Sequence, residues 1–165
     1  MTTPVSEVDR AELDALIAQV VAQEERLQFT SFSTEDAWML GSRLRDLAVE
    51  RGHAVTIDIA VGEQRLFHCA LPGTSAYNGA WIERKKRTVR EFGTSGYLVG
   101  LRARRGGTTF EEQPWIDPLQ FAGHGGGFPL TIRGTGVIGT ITVSGLPQEV
   151  DHGLIVEALS EHLGA

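Results

Sequence analysis

The stretch His124-Gly125-Gly126-Gly127-Phe128-Pro129-Leu130, running on through Gly134-Thr135-Gly136 and the residues from Val137 to Ser144 as far as Pro147 and Asp151, decides how this chain is read. It has the order of a glycine-rich bend, a strand over 128–133, a tight hairpin, a second strand over 137–143 and a helix start. Glycines beside a strand allow positive φ and the close approach of a ligand or a second backbone. A binding surface built partly from the backbone of Gly125, Gly126, Gly127 and Phe128 is therefore expected here.

Upstream, residues 54–61 alternate, with Val55, Ile57, Ile59 and Val61 on one face and Thr56, Asp58 and Ala60 on the other. Gly62-Glu63-Gln64 turns the chain into 65–71, where Phe67, Cys69 and Leu71 oppose Leu66, His68 and Ala70. That is a second antiparallel hairpin. Ser6 with Asp9, and Ser33 with Asp36, open two helices by capping-box patterns. The first helix carries the stripe Leu13, Leu16, Ile17, Val20, Val21, and the second carries Ala37, Leu40, Leu44, Leu47 before Gly52.

Spacing predicts a third helix from about Asn78 to Phe92, a shorter one through Tyr97 and Leu101 to Gly106, and an irregular segment over 108–122. The last helix is expected to take Pro147 at its first position and to bury Leu154, Ile155, Ala158, Leu159 and Leu163. Together these give an α/β chain of the α+β kind, a central antiparallel sheet of two hairpins covered by helices. Nothing in the 165 residues marks a linker or a repeat, so one domain over 1–165 is expected.

Composition sets limits on function. Cys69 is the only cysteine, so an intrachain disulfide is excluded and a reducing, cytoplasmic setting is expected. No stretch is apolar enough to cross a membrane. The net charge of −6 argues against nucleic acid as partner. Yet Arg84, Lys85, Lys86, Arg87, Arg90, Arg102, Arg104 and Arg105 stand against only Glu83 and Glu91 between Trp81 and Arg105. One electropositive region on an acidic body is expected, suited to an anionic ligand or a second subunit.

On the third helix Lys85 falls near the middle of the apolar arc of Trp81, Ile82, Val89 and Phe92, with Thr88 at its edge. A lysine there must snorkel, find a carboxylate or lose its proton. Lys85 is expected to reach a polar cleft and there bind an anion or pair with Asp58, the only acid within the first hairpin's strands. The histidines form no HxxxH or HExxH pair and Cys69 has no CxxC partner, so a zinc site is not expected. His124, on an approach loop, and His68, on a strand face, remain as candidate ligands. Ser144-Gly145 is no nucleophile elbow, and Ser144 is expected to cap the last helix or close the hairpin.

The segments Gly126-Gly127-Phe128-Pro129-Leu130, Gly136-Val137-Ile138-Gly139 and Val143-Ser144-Gly145 with Asp151 and Ala158, together with Lys85, Thr88 and Phe92, resemble the haem-degrading domain family, which takes in a haem-binding sensor and the GlcG-like proteins. The likeness is greatest to a bacterial and fungal branch and covers about residues 34–163, leaving 1–30 as an N-terminal helical extension. It implies an α/β sandwich assembled into dimers and higher homo-oligomers, with haem binding and slow haem breakdown in some members. The chain departs from the family at Val61-Gly62-Glu63-Gln64, where Asp-x-x-Gly is usual, and at Lys85-Lys86-Arg87-Thr88-Val89, where Lys-Ala-x-Thr-Ala is usual.

Three functions follow, from different classes. The chain binds haem through His124 or His68 with the basic stretch at the propionates; or it binds a small anionic metabolite through Lys85, Asp58, Thr88, Ser144 and the backbone of 125–128; or it is an assembly protein whose glycines serve packing. The sequence alone names no reaction.

Overall fold

The computed structural model describes residues 5–165. Its elements are α1 (Glu7–Arg26), α2 (Thr34–Glu50), β1 (Thr56–Val61), β2 (Gln64–Ala70), α3 (Ala76–Phe92), α4 (Gly96–Arg105), β3 (Gly127–Ile132), β4 (Gly136–Ser144) and α5 (Gln148–Leu163). The two hairpins join through their β1 and β4 members into one antiparallel sheet of order β2-β1-β4-β3. Pairing of Thr56 with Ser144 and of Asp58 with Thr142 fixes the register.

The two sheet faces differ in chemistry. Ile57, Ile59, Phe128, Leu130, Ile141 and Val143 meet Leu40, Leu44 and Leu47 of α2 and Leu154, Ile155 and Leu159 of α5 in the main core. The opposite face, under α3, carries Thr56, Asp58, Thr140, Thr142 and Ser144, all buried. A smaller cluster of Val20, Tyr97, Leu98 and Leu101, flanked by Leu13, Ile17 and Val21, docks α1 on α4. Leu16 of the expected α1 stripe stays at 36 % exposure, at the edge of the arc that Leu13, Ile17, Val20 and Val21 turn towards α4.

Three boundaries differ from the sequence reading. α3 begins at Ala76, not near Asn78, because Ser75 caps it and the Asn78 side chain accepts from the Ser75 N–H in a full capping box. Pro147 is the N-cap of α5, not its first helical residue: its ψ of 142° is still extended. Of the two roles expected of Ser144, it takes the end of the hairpin, as the last residue of β4, one beyond the expected 143, and caps no helix. Ser6 caps α1 through the Asp9 N–H without the reciprocal half of a capping box, Ser33 with Asp36 forms the full box, Gly62 sits in the β1–β2 turn at φ 56° and Gly93 closes α3 at φ 68°.

Candidate functional site

Where β4 ends and α5 begins, the third helix passes close to the glycine-rich loop and leaves a hollow of about 280 Å³ open to solvent. Tyr77, Trp81 and Lys85 of α3 form one wall, His124 a second, and Ser144 with Gln148 and Asp151 a third. Tyr77, Trp81 and Lys85 share a wall because residues four apart stack on one face of a helix. The tryptophan-bearing helix and the loop before β3 therefore meet, as the sequence implied.

Lys85 is the floor of this hollow. Its Nζ donates to the Val143 carbonyl at 3.0 Å and to Asp151 Oδ2 at 3.1 Å, and the two side chains are 4 % and 2 % exposed. Asp151 Oδ1 in turn accepts from the Leu146 N–H at 3.1 Å. Burial pushes the Lys85 ammonium below the ordinary lysine range, opposed by the Asp151 charge, and pushes the Asp151 carboxyl up, opposed by Lys85.

The expected pairing of Lys85 with Asp58 is thus corrected. Asp58 pairs with the next residue, Lys86, at 3.1 Å, and with Arg65 at 2.7 Å and His68 Nδ1 at 3.2 Å. Neighbours on a helix diverge by ~100°, so Lys85 and Lys86 leave α3 towards different carboxylates. This second cluster borders its own charged hollow with Glu63, Glu83 and Arg90. It takes Asp58 and His68 out of the first site.

The single electropositive region is corrected as well. Of the eight cations between Trp81 and Arg105, only Lys85 lines the hollow, and Asp151 neutralises it. Arg84 stacks over Trp81 at 3.7 Å and donates to the Pro118 carbonyl. Arg90 donates to the Gly62 carbonyl, and Arg105 pairs with Asp14 on α1. The basic stretch is dispersed over several faces.

His124 is held by the segment read as irregular. Glu111 Oε1 lies 3.2 Å from His124 Nδ1, at ion-pair distance though not aligned as a linear hydrogen bond, and accepts the Gly123 N–H at 2.7 Å. Against burial, which pushes it up, these contacts hold the Glu111 carboxyl below its usual range. Nδ1 is buried while the side chain as a whole is 38 % exposed, so the open part of the ring lies away from Glu111. Trp81 meets the same ring edge-on, with centroids 5.3 Å apart.

The other expected site residues support this wall from behind. Thr88 Oγ1 donates to the Arg84 carbonyl and accepts from the Ala122 N–H at 3.0 Å, tying the loop to α3. The Gly125 N–H donates to Gln148 Oε1 at 3.1 Å, and the Gly126 carbonyl accepts from Val143 N–H at 2.7 Å. Gly126 is at φ 111°, and a Cβ there would lie only 2.6 Å from Lys85 Nζ. Gly127 starts β3 against the α3 backbone. Phe128 is wholly buried in the core beside His152 and does not reach the hollow.

Glu111, Gln148 and Tyr77 are site residues that sequence reasoning did not single out, and Asp151, quoted there for the resemblance, was not read as the partner of Lys85. Asp151 had a signal, an acid in the first turn of a helix that follows a glycine turn. Glu111 had none.

A four-stranded antiparallel sheet between helical layers, with a small hollow at the end of its central β1–β4 pair, defines an α+β sandwich of the haem-degrading kind. The family model described as "Haem degrading protein HbpS-like" matches residues 32–160, and the chain belongs to that family. It is 53% identical over 148 residues to a UPF0303 protein of Streptomyces coelicolor, covering 90% of this chain and 94% of the relative. Among solved structures it is similar to the Ybr137w protein, with a TM-score of 0.83 and 27% identity, over 99% of this chain and 100% of that one. It is also similar in fold to PduOC in a PduOC:Heme complex, with a TM-score of 0.66 and 18% identity, over 79% of this chain and 94% of that one.

Proposed function

We propose that this chain binds haem at the mouth of the hollow, with His124 as the axial ligand. One observation carries the reading: the buried Nδ1 of His124 faces a carboxylate while part of the side chain stays exposed. A metal-ligating histidine commonly has its second nitrogen held by a carboxylate, which fixes the ring and raises its basicity. The donor set suits haem in other respects. Trp81 and Tyr77 line the hollow and offer aromatic surface to a flat macrocycle, and Arg84, which does not line it, stacks on Trp81 as a cation within reach of a propionate that extends past the indole. Haem, when bound, supplies redox chemistry at its iron.

The chain's own part is to orient His124 through Glu111 and to hold the glycine loop against α3 through Thr88. His68 is not the ligand in this reading, since its Nδ1 faces Asp58 on the far cluster. The proposal includes a single domain, with 34–163 as the binding core and the N-terminal helix as an extension. It has the protein act in the cytoplasm as a dimer or higher homo-oligomer, as the family resemblance implies. Among the described residues no helix is long and apolar enough to cross a membrane.

A second reading has its own observation. A volume of about 280 Å³ lies just below the usual range for small-molecule pockets and is less than a whole macrocycle needs. It suits a small anionic metabolite at Ser144, Gln148 and Lys85.

Haem titration separates the two. A Soret band that appears in the wild type, persists in His68→Ala and is lost in His124→Ala is expected. A band unchanged in His124→Ala rejects the axial ligand. No band at all, with a rise in melting temperature on adding a carboxylate or phosphate, selects the second reading.

A further inference from the structure

Lys85 and Lys86 are the only lysines in a chain whose lysines and arginines together number 15. Every other cationic side chain of this kind is an arginine, and both lysines are buried, each at 4 % exposure. The difference has chemical content. A guanidinium keeps its proton, whereas a desolvated ammonium can give one up, and the amine that results is a nucleophile. Lys86 donates towards two carboxylates, Asp58 at 3.1 Å and Glu83 at 3.4 Å. Lys85 has a single carboxylate and borders a hollow that the polar residues Ser144 and Gln148 also line.

We propose that this hollow captures a small aldehyde or 2-oxo acid as an imine on Lys85 Nζ, with Asp151 as proton donor and acceptor. The geometry supplies the parts: an amine at the floor, a carboxyl 3.1 Å from it, and about 280 Å³ above them. Burial acts on both partners in the direction that favours the amine and the carboxylic acid over the ion pair.

The reaction balances without an oxidant or a metal. The Nζ lone pair adds to the carbonyl carbon, the C=O π pair moves to oxygen, and one nitrogen proton passes to that oxygen to give a carbinolamine. The C–O bond then breaks, the oxygen leaves as water with the Asp151 proton, and the nitrogen lone pair forms the C=N bond. The products are one water and a protonated imine facing the Asp151 carboxylate. Hydrolysis retraces these steps, so capture is reversible.

The test uses the full chain as purified, exposed to pyruvate or to propanal and then to sodium borohydride, which reduces an imine to a stable secondary amine. Peptide mass mapping then locates the adduct. One adduct per chain is expected on Lys85, about tenfold above Lys86 and the α-amino group, and absent in Lys85→Arg. Equal labelling of the two lysines, label confined to Lys86 or the α-amino group, or no label from either carbonyl overturns the proposal. Should Lys85→Arg fail to fold, the wild-type comparison of Lys85 with Lys86 decides alone. The outcome is distinguishable from the haem reading, because the labelling is done on the wild-type chain without added haem and is read at Lys85 by mass, whether or not a Soret band forms in the separate titration.

Discussion

Lys85 on α3 and Asp151 on α5 meet at 3.1 Å across the end of β4, and the pair fastens the two helical layers to each other through the sheet. Both charges are removed from water, so each depends on the other. Replacing one alone strands the partner. Lys85→Met or Asp151→Leu should each cost about 3–5 kcal/mol in denaturant unfolding, whereas the double replacement should recover most of that loss. Additive losses in the double variant would show that the two groups do not act as a pair.

Gly126 makes that pairing possible. At φ 111° a Cβ would lie 2.6 Å from Lys85 Nζ and 2.9 Å from Asp151 Cβ, and would also overlap the Val143 carbonyl. Gly126→Ala is expected to destabilise by roughly 2–4 kcal/mol, from backbone strain and overlap together. Gly134, also at positive φ but with open space around it, is the control. Its alanine variant should lose distinctly less in the same melt, and equal losses would mean that backbone strain alone sets the cost.

Glu111 is expected to act through His124. Glu111→Gln keeps the shape and removes the charge beside Nδ1, so haem affinity should fall about 10–100-fold while a Soret band is still formed at high haem concentration. Titration of both proteins at one pH measures this. Unchanged affinity would leave Glu111 as a loop anchor for the Gly123 N–H only.

The N-terminal helix gives the protein an opposed pair of titrations. Burial raises the Glu24 carboxyl to about 7, against the Ser95 N–H that it accepts, and burial lowers His152, which contacts Gln23, to about 4. Between pH 4.5 and 7 the folded state holds more protons at Glu24 than the unfolded chain does, so this group's contribution falls as pH rises. At His152 the folded state holds fewer between pH 4 and 6.5, so its contribution rises. Glu24→Gln should therefore steepen the gain in stability from pH 4 to 6.5 and remove the decline towards pH 7. The change is on the order of 1 kcal/mol, given the part exposure of Glu24. A variant profile parallel to wild type above pH 6.5 would sink this assignment.

The elements themselves were legible in the chain, because capping boxes, a change of period from 3.6 to 2 and glycine turns are local signals. Ser33 with Asp36 opened α2 where expected, and Gly134-Thr135-Gly136 closed the second hairpin. The glycine loop and α3 could be paired in advance for the same reason, since both carried residues out of keeping with a plain core. α3's true start was less visible: Ser75 with Asn78 is a capping box built on asparagine, and Ser75 directly follows the Pro72-Gly73-Thr74 break, so it reads as part of the turn.

By itself, then, the sequence determined a four-stranded α+β sandwich, the family resemblance, and Lys85 as a charge that had to find a partner. Only the tertiary structure decided that the partner is Asp151 and not Asp58, that Glu111 backs His124, and that the basic stretch disperses. The reason is one of range. Periodicity fixes which face of a helix a residue occupies, but two consecutive lysines point ~100° apart, and which carboxylate each one meets depends on how β4 and α5 pack around them.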